Sequence, residues 1–150
     1  MNFSRKFFVF ATFFLFAGTV ASAFAQESVG NITQGFGEII VTRAAGGDEA
    51  VVIGAAVFQH DTIFVGEGSE ATITFVDNTI LTLGAESAIT IDTLIYDPAG
   101  QDSSASFDLA GGLMGLVSGD IVKTGNMIVT TPVSTIGIRG TTVPSIQAIR

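Results

Sequence analysis

From Gly37 to Thr141 the chain runs in period two. Apolar residues alternate with Thr, Ser or an acid in short runs, and Gly recurs at nearly every interruption. Beyond Ala25 no stretch repeats apolar residues at helical spacing with helix formers. Alternation sends successive side chains to opposite faces of an extended chain, so each run buries its apolar face only by pairing and stacking with others. The pattern predicts an all-β fold, a single antiparallel sandwich or roll. A short β-helix stays open as the alternative, although no strict repeat occurs at solenoid periods.

The predicted strands follow the alternation. Glu38 to Arg43 alternates around Ile39 and Val41, the turn Ala44 to Glu49 follows, and Ala50 to Val57 starts again. Thr62 to Val65 closes at Gly66-Glu67-Gly68-Ser69, and Glu70 to Leu83 reads as a hairpin. A two-residue Asp77-Asn78 loop would set Ile73 opposite Thr82 and mix the faces. A three-residue loop, Asp77-Asn78-Thr79, pairs Val76 with Ile80, Phe75 with Leu81, Thr74 with Thr82 and Ile73 with Leu83, with Asn78 left-handed. Ala88 to Tyr96 is the next strand, and Asp97 to Asp102 is a polar loop. Ser104 to Leu109 is turned by Gly111-Gly112 into Leu113 to Val117, and Ile121 to Thr124 and Met127 to Thr131 complete the set. Only ten residues follow Gly140 in the chain of 150, and they contain Pro144, which disfavours a long central strand.

The N-terminus sets the compartment. Arg5 and Lys6 precede the apolar run Phe7 to Ala21, and the small-x-small sites Ala21-Ser22-Ala23 and Ala23-Phe24-Ala25 follow. This is the pattern of a helical secretory signal peptide over residues 1–25, cleaved after Ala25. The apolar run falls short of the roughly 20 residues that span a bilayer, and Gly, Asp, Glu or Thr interrupts every later one, so no stable membrane insertion is expected after cleavage. The mature chain is expected to be periplasmic or secreted. It holds four basic against fourteen acidic residues, a net charge of −10, which repels nucleic acid and anionic lipid. There is no cysteine, so neither disulfides nor a thiol nucleophile are available, and stability rests on a core drawn from 47% hydrophobic residues.

Chemistry is sparse. The single histidine, His60, precedes a strand in Gln59-His60-Asp61 and reads as a turn residue, because a metal site needs clustered ligands. One histidine and no nucleophile elbow leave a Ser-His-Asp triad without support. Glu67 with Glu70, or Asp48 with Glu49, would be the pairs to face a groove for glycoside chemistry, but acids beside glycines usually lie in solvated turns. The oxygen-rich loops Asp48-Glu49, Glu67 to Glu70 and Asp97 to Asp102 follow neither calcium motif. No catalytic residue, metal ligand or cofactor-binding residue is assigned. Arg139, a lone cation between Gly137 and Gly140, is read as an ion pair or carbonyl clamp on the last turn ahead of a partner contact.

The segment Met127 to Thr141, with Thr131-Pro132, Gly137, Arg139 and Gly140-Thr141, resembles the closing signature of the FecR domain, a family named for the regulator of ferric-citrate uptake in Gram-negative bacteria. Gly37 to Arg43, Gly54, His60 to Gly66, Ala71 to Leu83, Ser87 to Ile91 and Phe107 to Leu113 resemble its earlier parts in the same order. The resemblance implies an extracytoplasmic all-β domain over residues 37–141. Residues 26–36 become a polar lead-in and residues 142–150 a short tail, as in a truncated form, since family members usually extend a further strand. An edge left open there invites edge-strand self-association.

Signalling members carry a cytoplasmic anti-sigma segment ahead of a membrane helix. Here only Met1 to Lys6 precede the apolar run. The preferred reading is therefore an exported, non-catalytic module binding another exported or outer-membrane protein or a surface polymer. A receiver in iron-uptake or envelope signalling, working through a separate partner, is the alternative. Thr131, Pro132, Gly137, Arg139, Gly140 and Thr141 form the candidate structural or partner motif.

Overall fold

The computed structural model describes residues 26–99, 102–124, 126–139 and 142–149. The expected leader, and Gly140 and Thr141 of the candidate motif, lie outside these. Twelve strands and one short 3-10 turn, Ile121–Thr124, make up the described elements. The strands are β1 Gly30–Phe36, β2 Ile39–Thr42, β3 Asp48–Ala50, β4 Ala56–Val57, β5 Thr62–Val65 and β6 Glu70–Phe75. They continue as β7 Ile80–Leu83, β8 Ser87–Ile95, β9 Ser104–Val117, β10 Met127–Thr131, β11 Ser134–Ile138 and β12 Thr142–Ala148.

They form one continuous curled sheet in the order β3-β2-β5-β8-β9-β7-β6-β1-β4, with β10 and β11 added beside the first half of β9 and β12 beside its second half. Every ladder is antiparallel except β9 with β10, where Met127 to Thr130 run parallel to Ala105 to Asp108. The 3-10 turn carries the chain back to the start of β9, which makes that pair parallel. The ladders otherwise lack the parallel stacking that a β-helix needs.

Strand β9 organises the curl. Residues up to Gly111 pair with β8, and residues from Gly112 on pair with β7 and β12. The expected turn at Gly111-Gly112 is instead a bend inside one 14-residue strand. Gly112 has φ +90, and a Cβ there would meet Ser87 Oγ at 2.4 Å and Ser87 Cα at 2.5 Å, so only glycine lets the strand bend this closely over its neighbour. The two halves then face each other. Phe75 of β6 and Phe107 of β9 meet across the interior with ring centroids 5.3 Å apart at 41°.

The inward set is the apolar phase of each alternation. Ile73, Leu81, Leu83, Ile89, Ile91, Phe107, Leu109, Met114 and Leu116 are fully or almost fully buried. Each such side chain stabilises the fold by about 1.5–3 kcal/mol relative to exposure.

Several local expectations change. The β6–β7 hairpin has a three-residue loop, but it is Val76-Asp77-Asn78, and Ile73 faces Leu81 and Thr72 faces Thr82. The Phe75 N–H donates to the Thr79 carbonyl. The shift of one residue in the loop moves the register by two, so the faces are preserved and Asn78 is still left-handed, at φ 65. Buried Asp77 fixes the turn by accepting the Thr79 N–H and hydroxyl and the Ile121 N–H. Residues 30–36 of the lead-in form β1, because Ile32 is drawn into the core between β6 and β4. The run from Ala50 splits, with Asp48–Ala50 pairing to β2 and Val52 and Ile53 exposed in a turn. Ile121–Thr124 is the 3-10 turn rather than a strand, since Ile121 and Val122 are both buried and do not alternate. The tail is strand β12, whose register shifts between Val143 and Ile146, around Pro144.

Candidate functional site

Two acids are buried among the described residues, and both hold turns. Asp61 accepts from Arg43 Nη1 at 2.6 Å and from the Phe58 N–H at 2.9 Å. The same guanidinium bonds Glu49 and the Ala56 carbonyl and lies over the Phe58 ring. One arginine thus ties β2, β3 and the loop before β5. Desolvation opposes the charge on Arg43, but the hydrogen bonds to Glu49 and Asp61 and their charges leave its pKa raised. Asp77 is spent in its own turn, as described above. The acid pairs considered for glycoside chemistry are not poised in a groove. Glu67 and Glu70 are exposed, and Asp48 and Glu49 sit on the outer strand β3 against Thr42 and Arg43. Among the described residues no three His, Asp or Glu side chains cluster as metal ligands.

His60 occupies a left-handed turn with φ 65, its N–H bonded to the Ile91 carbonyl. It lines an open cleft of about 600 Å³ between residues 26–29, Gln59, Val76, Leu94 to Tyr96 and Pro98. No residue pattern signals this cleft, because its walls come from separated segments. Tyr96 at its rim donates its hydroxyl to Asp120, which also pairs with Lys123. Lys123 and then Tyr96 hold the Asp120 carboxyl below the usual range, and burial followed by Asp120 pushes the Tyr96 phenol up.

The candidate motif lies elsewhere, on the β10–β11 hairpin. Thr131 is buried, and its Oγ1 accepts the Ser134 N–H and donates to the Ser134 carbonyl, each at 3.1 Å. Pro132 and Val133 form the exposed two-residue turn that this hydroxyl locks. β11 then pairs with β10 in unbroken register from Ser134 opposite Thr131 to Ile138 opposite Met127. Gly137 is exposed, with nothing within 4 Å of where a Cβ would stand, so neither packing nor a positive φ requires glycine there. Arg139 is exposed just past the strand. The clamp expected for it does not form among the described residues, whose ion pairs involve Arg43 and Lys123.

What sequence reading missed is the contrast among the sheet's outer strands. β3 is three residues long and carries Asp48 and Glu49, and β4 has two residues. β12 contains Pro144 and a register shift, and β1 beyond β4 is broken by a shift between Ile32 and Gln34. Each of these devices blunts an edge against further pairing. β11, Ser-Thr-Ile-Gly-Ile, has no charge, no proline and no bulge, and among the described residues pairs only with β10. Counting outward from the Thr131–Ser134 pair that closes the hairpin, Thr135 and Gly137 turn their N–H and C=O to the open side.

No curated protein matches the sequence. A solved structure described as a cell surface anchoring domain is 29% identical, over 41% of this chain and 82% of that one, with a TM-score of 0.40. The model of the FecR protein family matches residues 61–149, from the buried aspartate that ties Arg43 through the whole β10–β11 hairpin and β12. That span exceeds half of the chain, and the chain belongs to the FecR family.

Proposed function

We propose that this chain is an exported, non-catalytic FecR-domain module that binds another exported or outer-membrane protein through a sheet edge. The observation that carries the reading is β11, a regular and uncharged outer strand in a sheet whose other outer strands are short, charged, bulged or interrupted by proline. An edge of that kind is a template for one more strand, with main-chain hydrogen bonds supplying affinity. The structural use of Asp61 and Asp77 supports the non-catalytic part, because the buried carboxylates are committed to holding turns. Export rests on the leader pattern before Gln26. No helix of the described residues is long and apolar enough to cross a membrane.

The test is site-specific crosslinking in a Gram-negative host. A photoreactive side chain at Thr135 should give one discrete adduct with an envelope protein, and the same probe at Glu49 on β3 should give none. Recovery of the tagged chain from the cytoplasm alone, or turnover of an envelope substrate abolished by a single carboxylate change, would contradict the reading.

A further inference from the structure

Charge is divided along this chain in a way that specifies what the open edge accepts. All fourteen acidic residues lie at or before Asp120, and the thirty residues after it carry Lys123, Arg139 and Arg150 and no acid. The β10–β11 hairpin is therefore a neutral patch on an acidic body, with the exposed Arg139 at one end of its outer strand. The carboxylate in register with it, Asp108, stands two strands away from Thr135, across Thr130. Two strand spacings are about 9.6 Å, slightly more than the roughly 8 Å Debye length at physiological salt, so salt reduces the pull of that charge to roughly a third at β11. Arg139, at the end of β11, is thus nearer to an added strand than the carboxylate in register with it.

We infer that β11 takes, as an added strand, an extended segment of another protein that is uncharged along its length except for an acidic side chain at the end beside Arg139. The inference rests on the binding reading above and adds the partner's chemistry. Thr135 and Gly137 offer main-chain donors and acceptors on the open side, and the missing side chain at Gly137 lets a second backbone approach closely. Alternating threonine and β-branched residues match the pleat of β11, whose own sequence is of that kind. Arg139 sets the end and excludes a partner with a basic residue at that place. A second copy of this chain is a poorer occupant. Its β11, Ser134–Ile138, has no acid to set beside Arg139.

The probes are two synthetic peptides of alternating threonine and valine, one with two glutamates at each end and one with two lysines. Binding to the chain from Gln26 to Arg150 is followed by amide chemical shifts at physiological salt. Net charge alone predicts that the lysine peptide binds better. The inference predicts the opposite, with the glutamate peptide roughly threefold to fivefold tighter, the factor that one exposed ion pair supplies, and with shifts centred on β11. Arg139→Glu, an exposed position, should reverse the order. Thr135→Pro should weaken both peptides by roughly tenfold, the worth of a lost main-chain hydrogen bond, with its circular dichroism checked against the parent.

Equal or tighter binding of the lysine peptide, absence of binding by both, or shifts centred on β3, β12 or the His60 cleft would overturn the inference. So would concentration-dependent dimerisation removed by Thr135→Pro, which would make a second copy the occupant. A discrete envelope adduct at Thr135 alongside peptide failure would sink the partner chemistry while leaving the binding reading in place.

Discussion

Replacing Phe107 by alanine tests whether the two arms of the curled sheet share one core. Phe107 is wholly buried near the middle of the first half of β9 and meets Phe75 of the opposite arm at 5.3 Å. Truncation removes the apolar burial of the ring and leaves a cavity that neighbouring strands cannot close without breaking ladders, at a cost of about 3–5 kcal/mol. The aromatic pair contributes about 0.5–1.5 kcal/mol of this, which a cycle with Phe75→Ala isolates. Against a total stability of about 5–15 kcal/mol for a domain, that is a large fraction. Urea unfolding followed by far-ultraviolet circular dichroism should give a single transition, moved to lower urea with unchanged slope. A loss below about 1 kcal/mol, or a transition that splits in two, would refute a common core.

Three other perturbations test the parts. Gly112→Ala should destabilise by about 1–3 kcal/mol or prevent folding, since φ +90 and contact with Ser87 leave no room for a Cβ, and thermal unfolding reads the result. Asp77→Ala should cost about 2–3 kcal/mol by leaving the Thr79 and Ile121 N–H groups unpaired, and a change within error in urea midpoint would show that the turn does not depend on it. Because Lys123 and Tyr96 lower the folded-state pKa of Asp120, its contribution is present above the ordinary carboxylate pKa and is lost as pH falls through the folded value. Asp120→Asn should remove that part of the acid limb, and an unchanged profile of urea midpoint from neutral to acidic pH would contradict the assignment.

The strands at Thr62, Ser87 and Met127 were legible because one face is core and the other is water, so alternation survives in the residues. It failed where tertiary contacts decide. Gly111-Gly112 has the composition of a turn, yet the same freedom at φ serves a bend within β9. β1 has little apolar content apart from Ile32 and Phe36, and the strand exists because β6 and β4 flank it. Buried neighbours Ile121 and Val122 follow no strand period. In the candidate site the strand ending at Thr131 was legible, but the Pro132-Val133 turn and the strand β11 after it were not assigned. That β11 is an outer strand, and that the other outer strands among the described residues are blunted, belongs to strand order, which local residue pattern does not encode. The His60 cleft is illegible for the same reason.

Native-state amide exchange of the chain from Gln26 tests the central claim most directly, because it reads the open edge before any partner is known. The Thr135 and Gly137 amides should exchange as fast as exposed turns, while those of Ser134, Ile136 and Ile138, facing β10, stay protected. Protection of Thr135 and Gly137 comparable to that of their neighbours in a monomeric sample would mean the edge is already covered, and the binding account would fall.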